Sequence, residues 1–403
     1  MAEAKLPFLR RNARWLGAGA MMTGLSSFGQ TSFISLYSGE IRGTYDLSDG
    51  EWGLIYAVGT LASAVLMLFT GGLTDRFRAR DLATVAMLGL ACTALVLWSG
   101  PPLAALPLII LGLRFFGQGW LSHVPSVAVG RWFSANRGTG IAATKLGFSL
   151  GEATLPVIFV ALAATVGWQG SWAAAALVLI VAIPFLRYLL RTERDPRGIV
   201  TDVGTPGMGG QHWTRSQALR HWLFWALVPA LLCQPIFATA FFFQQVHLVE
   251  LKGWSLSAFV GFYPAYTLAA VGGLILGGLA SDQFGARRIA PWMLLPMIPG
   301  LIVTALGQGI WAGAVGLVSI GAMAGFANAV AGTLWPELYG TRNLGSIRAV
   351  ATSLMVFATA LGPAVTGLLI DAGVDYRVQL IAMALYSAAM CIVLAVSLSR
   401  APA

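Results

Sequence analysis

Long apolar stretches, each broken by a few polar or turn-forming residues, recur along almost the whole chain. About twelve of them approach the ~20 residues that a 30 Å hydrocarbon layer requires. The expected spans are 15–37, 52–73, 82–99, 104–128, 139–163, 171–190, 220–246, 257–280, 289–306, 312–335, 347–370 and 378–398. Turn chemistry punctuates them: Gly100-Pro101-Pro102 closes the third, and Gly167-Trp168-Gln169-Gly170 separates the fifth from the sixth. Prolines inside spans (Pro125, Pro184, Pro229, Pro235, Pro264) predict kinks, which membrane helices tolerate because neighbours and cavity water re-satisfy the freed carbonyls. The pattern predicts an all-α polytopic membrane protein of twelve helices.

Composition agrees. Of 403 residues 57% are hydrophobic and only 10% charged, far below the quarter expected of a soluble domain. The net charge of +9 is not gathered on one soluble patch, so it does not indicate nucleic acid. Its Lys and Arg recur singly between spans. With a cytoplasmic N-terminus the inner segments collect Arg10, Arg11, Arg14, Arg76, Arg78, Arg80, Arg131, Arg137, Arg187, Arg191, Arg287, Arg288, Arg342 and Arg400, among others. The outer segments keep Arg42, Lys252 and Arg377. The bias predicts a multi-pass protein of the cell inner membrane with both termini cytoplasmic. The basic start is followed by a long apolar run without a clear cleavage site, so it is read as a retained first helix. Cys92, Cys233 and Cys391 lie inside apolar runs, where neither a disulfide framework nor a metal site is expected. No phosphate-binding loop, metal-ligand cluster or nucleophile triad appears, so no cofactor, no ATP-driven step and no enzyme activity is expected.

One long polar segment, rich in Gly and Pro, lies at mid-chain. It predicts a six-helix bundle over 1–190, a cytoplasmic linker over 191–219 and a second six-helix bundle over 220–403. The two halves repeat each other. A shift of 207 residues lays Tyr56 on Tyr263, and Gly71, Asp75, Phe77, Ala79 and Arg80 on Gly278, Asp282, Phe284, Ala286 and Arg287. Apolar identities arise easily by chance, but a Gly-x-x-x-Asp-x-Phe-x-Ala-Arg pattern in equivalent inter-span loops does not. Parallel repeats with a binding site near the midplane are a known transporter architecture.

At these loops the chain resembles the major facilitator superfamily. Gly71-Gly72-Leu73-Thr74-Asp75-Arg76-Phe77-Arg78-Ala79-Arg80 is similar to that family's signature between spans two and three, with a weaker copy from Gly278. Arg114 with Gly117-Gln118-Gly119 resembles its fourth-span motif. Gly130-Arg131-Trp132-Phe133 with Arg137-Gly138 is similar to a loop of monocarboxylate and oxalate/formate-type members, although span eight lacks the acid–arginine pair usual in monocarboxylate carriers. The resemblance implies two rocking bundles around a central cavity. It also implies a cytoplasmic gate made by Asp75 with Arg76, Arg80 and Arg131, and by Asp282 with Arg287.

The candidate chemistry lies in residues that are costly in lipid. An ionised side chain at mid-bilayer costs about 2.5–3.5 kcal/mol on the lenient scale, so such a residue marks a pathway or a partner. Arg114 and His123 fall in the fourth span, Lys145 and Glu152 in the fifth, and Glu152 is the one acid well inside any span. Counting ~1.5 Å per residue from the outer ends puts Arg114 and Glu152 at the same depth. The expectation is that they pair, with Arg114 binding an anion and Glu152 (or His123) carrying a proton. His123 lies nine residues from Arg114, half a turn out of phase, so both face the fifth span only if the helix is disturbed. Lys145, Gln30, Tyr56, Gln118, Gln234, Tyr263, Tyr266 and Asn328 complete the candidate substrate site. These residues predict a monomeric, proton-coupled symporter of a small anionic organic solute, with the bilayer, the solute and protons as its partners. A proton-driven exporter of amphipathic compounds is the alternative.

Overall fold

The computed structural model describes residues 8–133, 137–192 and 206–401, with positions 75, 137, 138, 345 and 349 described by backbone alone. The long helices are α1 (Ala13–Leu25), α2 (Asp49–Thr70), α3 (Ala79–Trp98), α4 (Leu106–Gly112), α5 (Leu121–Trp132), α6 (Arg137–Leu189), α7 (Trp222–Phe243), α8 (Tyr263–Phe284), α9 (Met297–Leu306), α10 (Ile310–Tyr339), α11 (Leu344–Asp371) and α12 (Tyr376–Ser399). Among the described residues no strand occurs, and ten helical segments are long and apolar enough to cross a membrane. One of them, α6, is two spans joined at Gly167, whose φ of 73° and ψ of 167° break the helix at the turn the sequence marks. The first span is not among the ten because it is broken. The fold is therefore that of an all-α polytopic membrane protein.

The chain divides into two compact units, Met1–Leu47 with Leu54–Thr201, and Ser48–Gly53 with Asp202–Ala403. In the first unit the expected continuous span 15–37 gives way, after α1, to a 3₁₀ turn at Ser26–Gly29. Gln30 follows in an extended conformation (φ −83°, ψ 151°), before the short helix Thr31–Ile34. The local sequence explains the break. Ser26 Oγ donates back to the Thr23 carbonyl at 2.6 Å, Thr23 Oγ1 donates across to the Thr144 carbonyl of α6 at 2.6 Å, and Gly29 follows. Hydroxyls that compete for carbonyls weaken a helix, and irregular backbone at membrane depth persists only where protein or a cavity satisfies it.

Between α4 and α5 the fourth span widens into a π-helical stretch, Leu113–Trp120. The break in the first span rests on it. A Cβ on Gly29 would overlap the Leu113 carbonyl and Gly117 Cα, so glycine at both 29 and 117 lets the two backbones touch. In the same unit α6 lies against α1, with Gly147 over the Ala20 carbonyl and Gly151 over the Gly24 carbonyl.

In the second unit α8 packs along α10, and α9 and α11 flank α10 and α7 respectively. Within the segment read as the linker, 191–219, the chain is folded from about Gly207 onward. Trp213 N donates to the Tyr339 carbonyl at 3.1 Å, Asn343 Nδ2 donates to the Trp213 carbonyl at 3.1 Å, and Met208 is buried. Two apolar side chains inside a polar-looking stretch supply that burial.

Candidate functional site

Arg114 sits in the first turn of the π stretch, only 2% exposed. Its Nη1 donates to the Gly29 carbonyl and to Thr31 Oγ1, each at 3.2 Å, and its guanidinium lies 5.5 Å from the Tyr56 ring centroid. Tyr56 OH and Thr31 Oγ1 share a hydrogen bond of 2.6 Å. The broken first span thus supplies a freed carbonyl and a hydroxyl to the arginine, and α2 supplies an aromatic face. Arg114 Nε has no partner, and none of the groups that hold the guanidinium is anionic.

The pairing expected with Glu152 does not form: among the described residues no ion pair reaches either side chain. Straight spans rising ~1.5 Å per residue would level the two side chains, whereas the π stretch holds Arg114 against the first span. Glu152 follows Gly151 in α6, one residue past the tight contact with α1, and is half-buried. Lys145 is exposed. His123 Nε2 lies 3.3 Å from the Gly71 carbonyl at the end of the second span, so its described contact is there, away from Arg114.

The two repeat-related tyrosines, expected to line a cavity, are instead fully buried with their hydroxyls engaged. Tyr56 bonds Thr31, and Tyr263 OH donates to Gln245 Oε1 at 2.5 Å. Tyr266 is buried edge-on against Phe242 at 5.1 Å. Aromatic rings carrying a polar tip are normally buried with that tip satisfied. Gln30 and Gln118 are half-buried and make no side-chain hydrogen bond among the described residues.

Gln234 and Asn328 line a small, partly open pocket of about 50 Å³ in the second unit. Faces of α7 (Leu231), α10 (Ala331, Trp335) and α11 (Leu354) line it, with Met293 at its edge. Each face follows helical spacing, so the pocket is a seam where three helices fail to close.

At the loop motifs, Arg131 Nη1 donates to the Thr74 carbonyl at 2.7 Å, while the Asp75 side chain expected beside it lies outside the described residues. Arg76 is exposed. Arg80 pairs with Asp81 (3.3 Å), which Arg187 also approaches at 3.6 Å. In the second copy Asp282 is exposed and has no ion pair among the described residues, and Arg287 Nη2 donates to the Ala401 carbonyl at 3.0 Å. Glu337 of α10 holds this turn instead, its Oε2 accepting from Ala286 N at 2.8 Å. Sequence comparison of the two halves could not find Glu337, because it lies outside the repeated motif.

An all-helical chain whose first span breaks around a buried arginine, with loops in two related copies, is by class a membrane transporter. The chain belongs to the Major Facilitator Superfamily, whose family model matches residues 19–280. It is similar to the hexuronate transporter of Bacillus subtilis (strain 168), at 22% identity over 369 residues, covering 87% of this chain and 86% of the relative. Among solved structures it resembles a bacterial homolog of the human lysosomal transporter Spinster in an inward-facing, unoccupied conformation. That match has a TM-score of 0.73 at 14% identity, over 96% of this chain and 97% of the other. The nucleoside transporter NupG superposes with a TM-score of 0.71 at 14% identity, over 95% and 98% of the two chains. Both likenesses concern the fold. The protein is a transporter of this family and not an enzyme.

Proposed function

We propose that the protein is a proton-coupled symporter of a small anionic organic solute, acting as a monomer in the cell inner membrane with both termini cytoplasmic. The observation that carries this reading is Arg114: a buried guanidinium held only by neutral groups, with Nε unspent. A cation held away from water is costly unless it is paired. Its planar fork suits a carboxylate, so an anionic solute is the natural counter-ion once the break at Ser26–Gln30 admits one. The weak likeness to a hexuronate transporter points to the same charge type.

Glu152 is assigned the coupling proton because it is an acid within a span that no cation neutralises among the described residues. The two groups then act at separate places, and a direct exchange of partners between them forms no part of the mechanism. Lys145 contributes positive potential from α6.

The test uses proteoliposomes with an imposed pH gradient. Glu152→Gln should retain solute exchange and lose uphill uptake, while Arg114→Ala should lose carboxylate binding by an order of magnitude or more. Undiminished gradient-driven accumulation by Glu152→Gln refutes the coupling role. The alternative, proton-driven export of amphipathic compounds, is favoured by one feature, the apolar pocket beside Gln234. Placing solute and gradient on chosen sides of the vesicle distinguishes the two directions.

A further inference from the structure

In the first unit α3 and the second span of α6 pack side by side, and each turns a row of large apolar side chains outward. The row on α3 is Val85, Leu88 and Val96, and that on α6 is Leu177, Val181 and Phe185. Spacings of three, four and eight residues keep each row on one face of its helix. In a membrane-spanning helix such a face meets acyl chains.

The two rows end together in charged and aromatic groups. Arg187 Nη1, from α6, approaches Asp81 Oδ1 of α3 at 3.6 Å and Thr84 Oγ1 at 3.4 Å. Arg80 pairs with the same carboxylate at 3.3 Å, so Arg187 has only a shared acid. Arg191, two residues past α6, lies over the Tyr188 ring at 5.1 Å and makes no hydrogen bond or ion pair among the described residues. Stacking fixes that cation in place and leaves its N–H groups unspent. Arg187, Tyr188 and Arg191 are all exposed. A tyrosine at the end of a span belongs at the level of the lipid headgroups, so the two arginines reach the layer where phosphates lie.

We propose that this edge binds an anionic phospholipid. Arg187, Arg191 and the Tyr188 hydroxyl hold its phosphate, and its chains run along the rows headed by Val85 and Phe185. Guanidinium groups donate to phosphate in pairs, and basic edges between spans suit such headgroups. The inference goes beyond the transport reading and stands apart from it: it needs only the spans, and neither Arg114 nor Glu152 takes part.

The full chain, purified in a non-ionic detergent, is titrated by native mass spectrometry with phosphatidylglycerol and with phosphatidylcholine of identical chains. The first phosphatidylglycerol should bind at least about fivefold tighter, and Arg187→Gln and Arg191→Gln should each weaken it about fivefold. Asp81→Asn frees Arg187 from its acid and should tighten binding. If one arginine variant does not fold, the other decides together with Asp81→Asn. Arg215→Gln, an exposed arginine of the second unit, is the comparison and should change nothing. An equal loss there means a diffuse basic surface and overturns the site. So do equal affinities for the two lipids, unchanged binding in the arginine variants, or no gain in Asp81→Asn. Displacement of the lipid by an equal concentration of glycerol 1-phosphate overturns it too, since the edge would then be a site for a soluble phosphate.

Discussion

Asp371, the last residue of α11, accepts from the Gly50 amide at 2.9 Å and from Ser48 Oγ at 2.7 Å through the same carboxylate oxygen, Oδ2. A negative charge at the C-terminus of its own helix is unfavourable, so its partner explains it: the first amides of α2 form the positive end of a helix. Ser48 and Glu51 already make a reciprocal cap there, Ser48 N donating to Glu51 Oε2 at 2.9 Å and Glu51 N to Ser48 Oγ at 3.1 Å. Asp371→Ala should lower stability by about 1–2 kcal/mol. Asp371→Asn, which keeps an acceptor, should lose less than half of that. Thermal melting of the purified variants in one detergent measures both.

Arg114 and Tyr56 share Thr31 Oγ1. Tyr56→Phe keeps the aromatic face and removes one hydrogen bond, at a cost of about 1 kcal/mol. Thr31→Val leaves Arg114 with the Gly29 carbonyl and the ring alone, so it should cost about 1–3 kcal/mol and depress uptake more than Tyr56→Phe does. Because both variants touch the same hydroxyl, the double variant should fall short of the sum. A double-mutant cycle on melting and on initial uptake rate checks this.

Glu337 should matter more than its exposed position suggests. Glu337→Ala leaves the Ala286 amide without its acceptor and should destabilise the loop after α8 by about 0.5–1.5 kcal/mol. Glu337→Gln, which can still accept, should stay close to the unmodified protein. Asp282→Asn should be nearly silent in the same assay, and hydrogen exchange at residues 285–289 reads the difference locally.

Asp375 caps α12, accepting from Arg377 N at 2.7 Å and pairing with the Arg377 guanidinium at 2.5 Å. The hydrogen bond from Arg377 holds its carboxyl below the usual aspartate range. A depressed carboxyl contributes stability that is complete above its unfolded pKa and lost as pH falls through the folded one. Asp375→Asn should therefore lower the melting temperature slightly above about pH 4, and the difference should shrink as the pH falls below that. The effect should be small and weaken with salt, since the pair is largely open to solvent.

What the sequence made legible is what residue type alone decides. Gly167 breaks α6 at the turn marked by Gly167-Trp168-Gln169-Gly170, and Gly100-Pro101-Pro102 follows α3 after its cap, Ser99. Arg114 was visible because charge is rare in a span. Its surroundings were not, because a chain that is apolar on every face gives no periodic signal of where a helix breaks or widens. The break at Ser26–Gln30 and the π stretch are settled by two backbones touching through Gly29 and Gly117, a contact across 88 residues of sequence. The same limit hid Gln245 behind Tyr263 and Asp81 beside Arg187. In each case the partner is known only once the helices are packed.

The wide turn at Leu113–Trp120 amounts to one surplus residue in the fourth span. Deleting a residue there would return the stretch to ordinary winding and leave the turns beyond it in phase, because the wide turn absorbs the extra residue's ~100°. His123 should then keep the Gly71 carbonyl and Arg131 the Thr74 carbonyl, while the backbone at Leu113 and Gly117 draws away from Gly29. The surplus residue thus acts as local slack, confined to the one turn on which the first span leans.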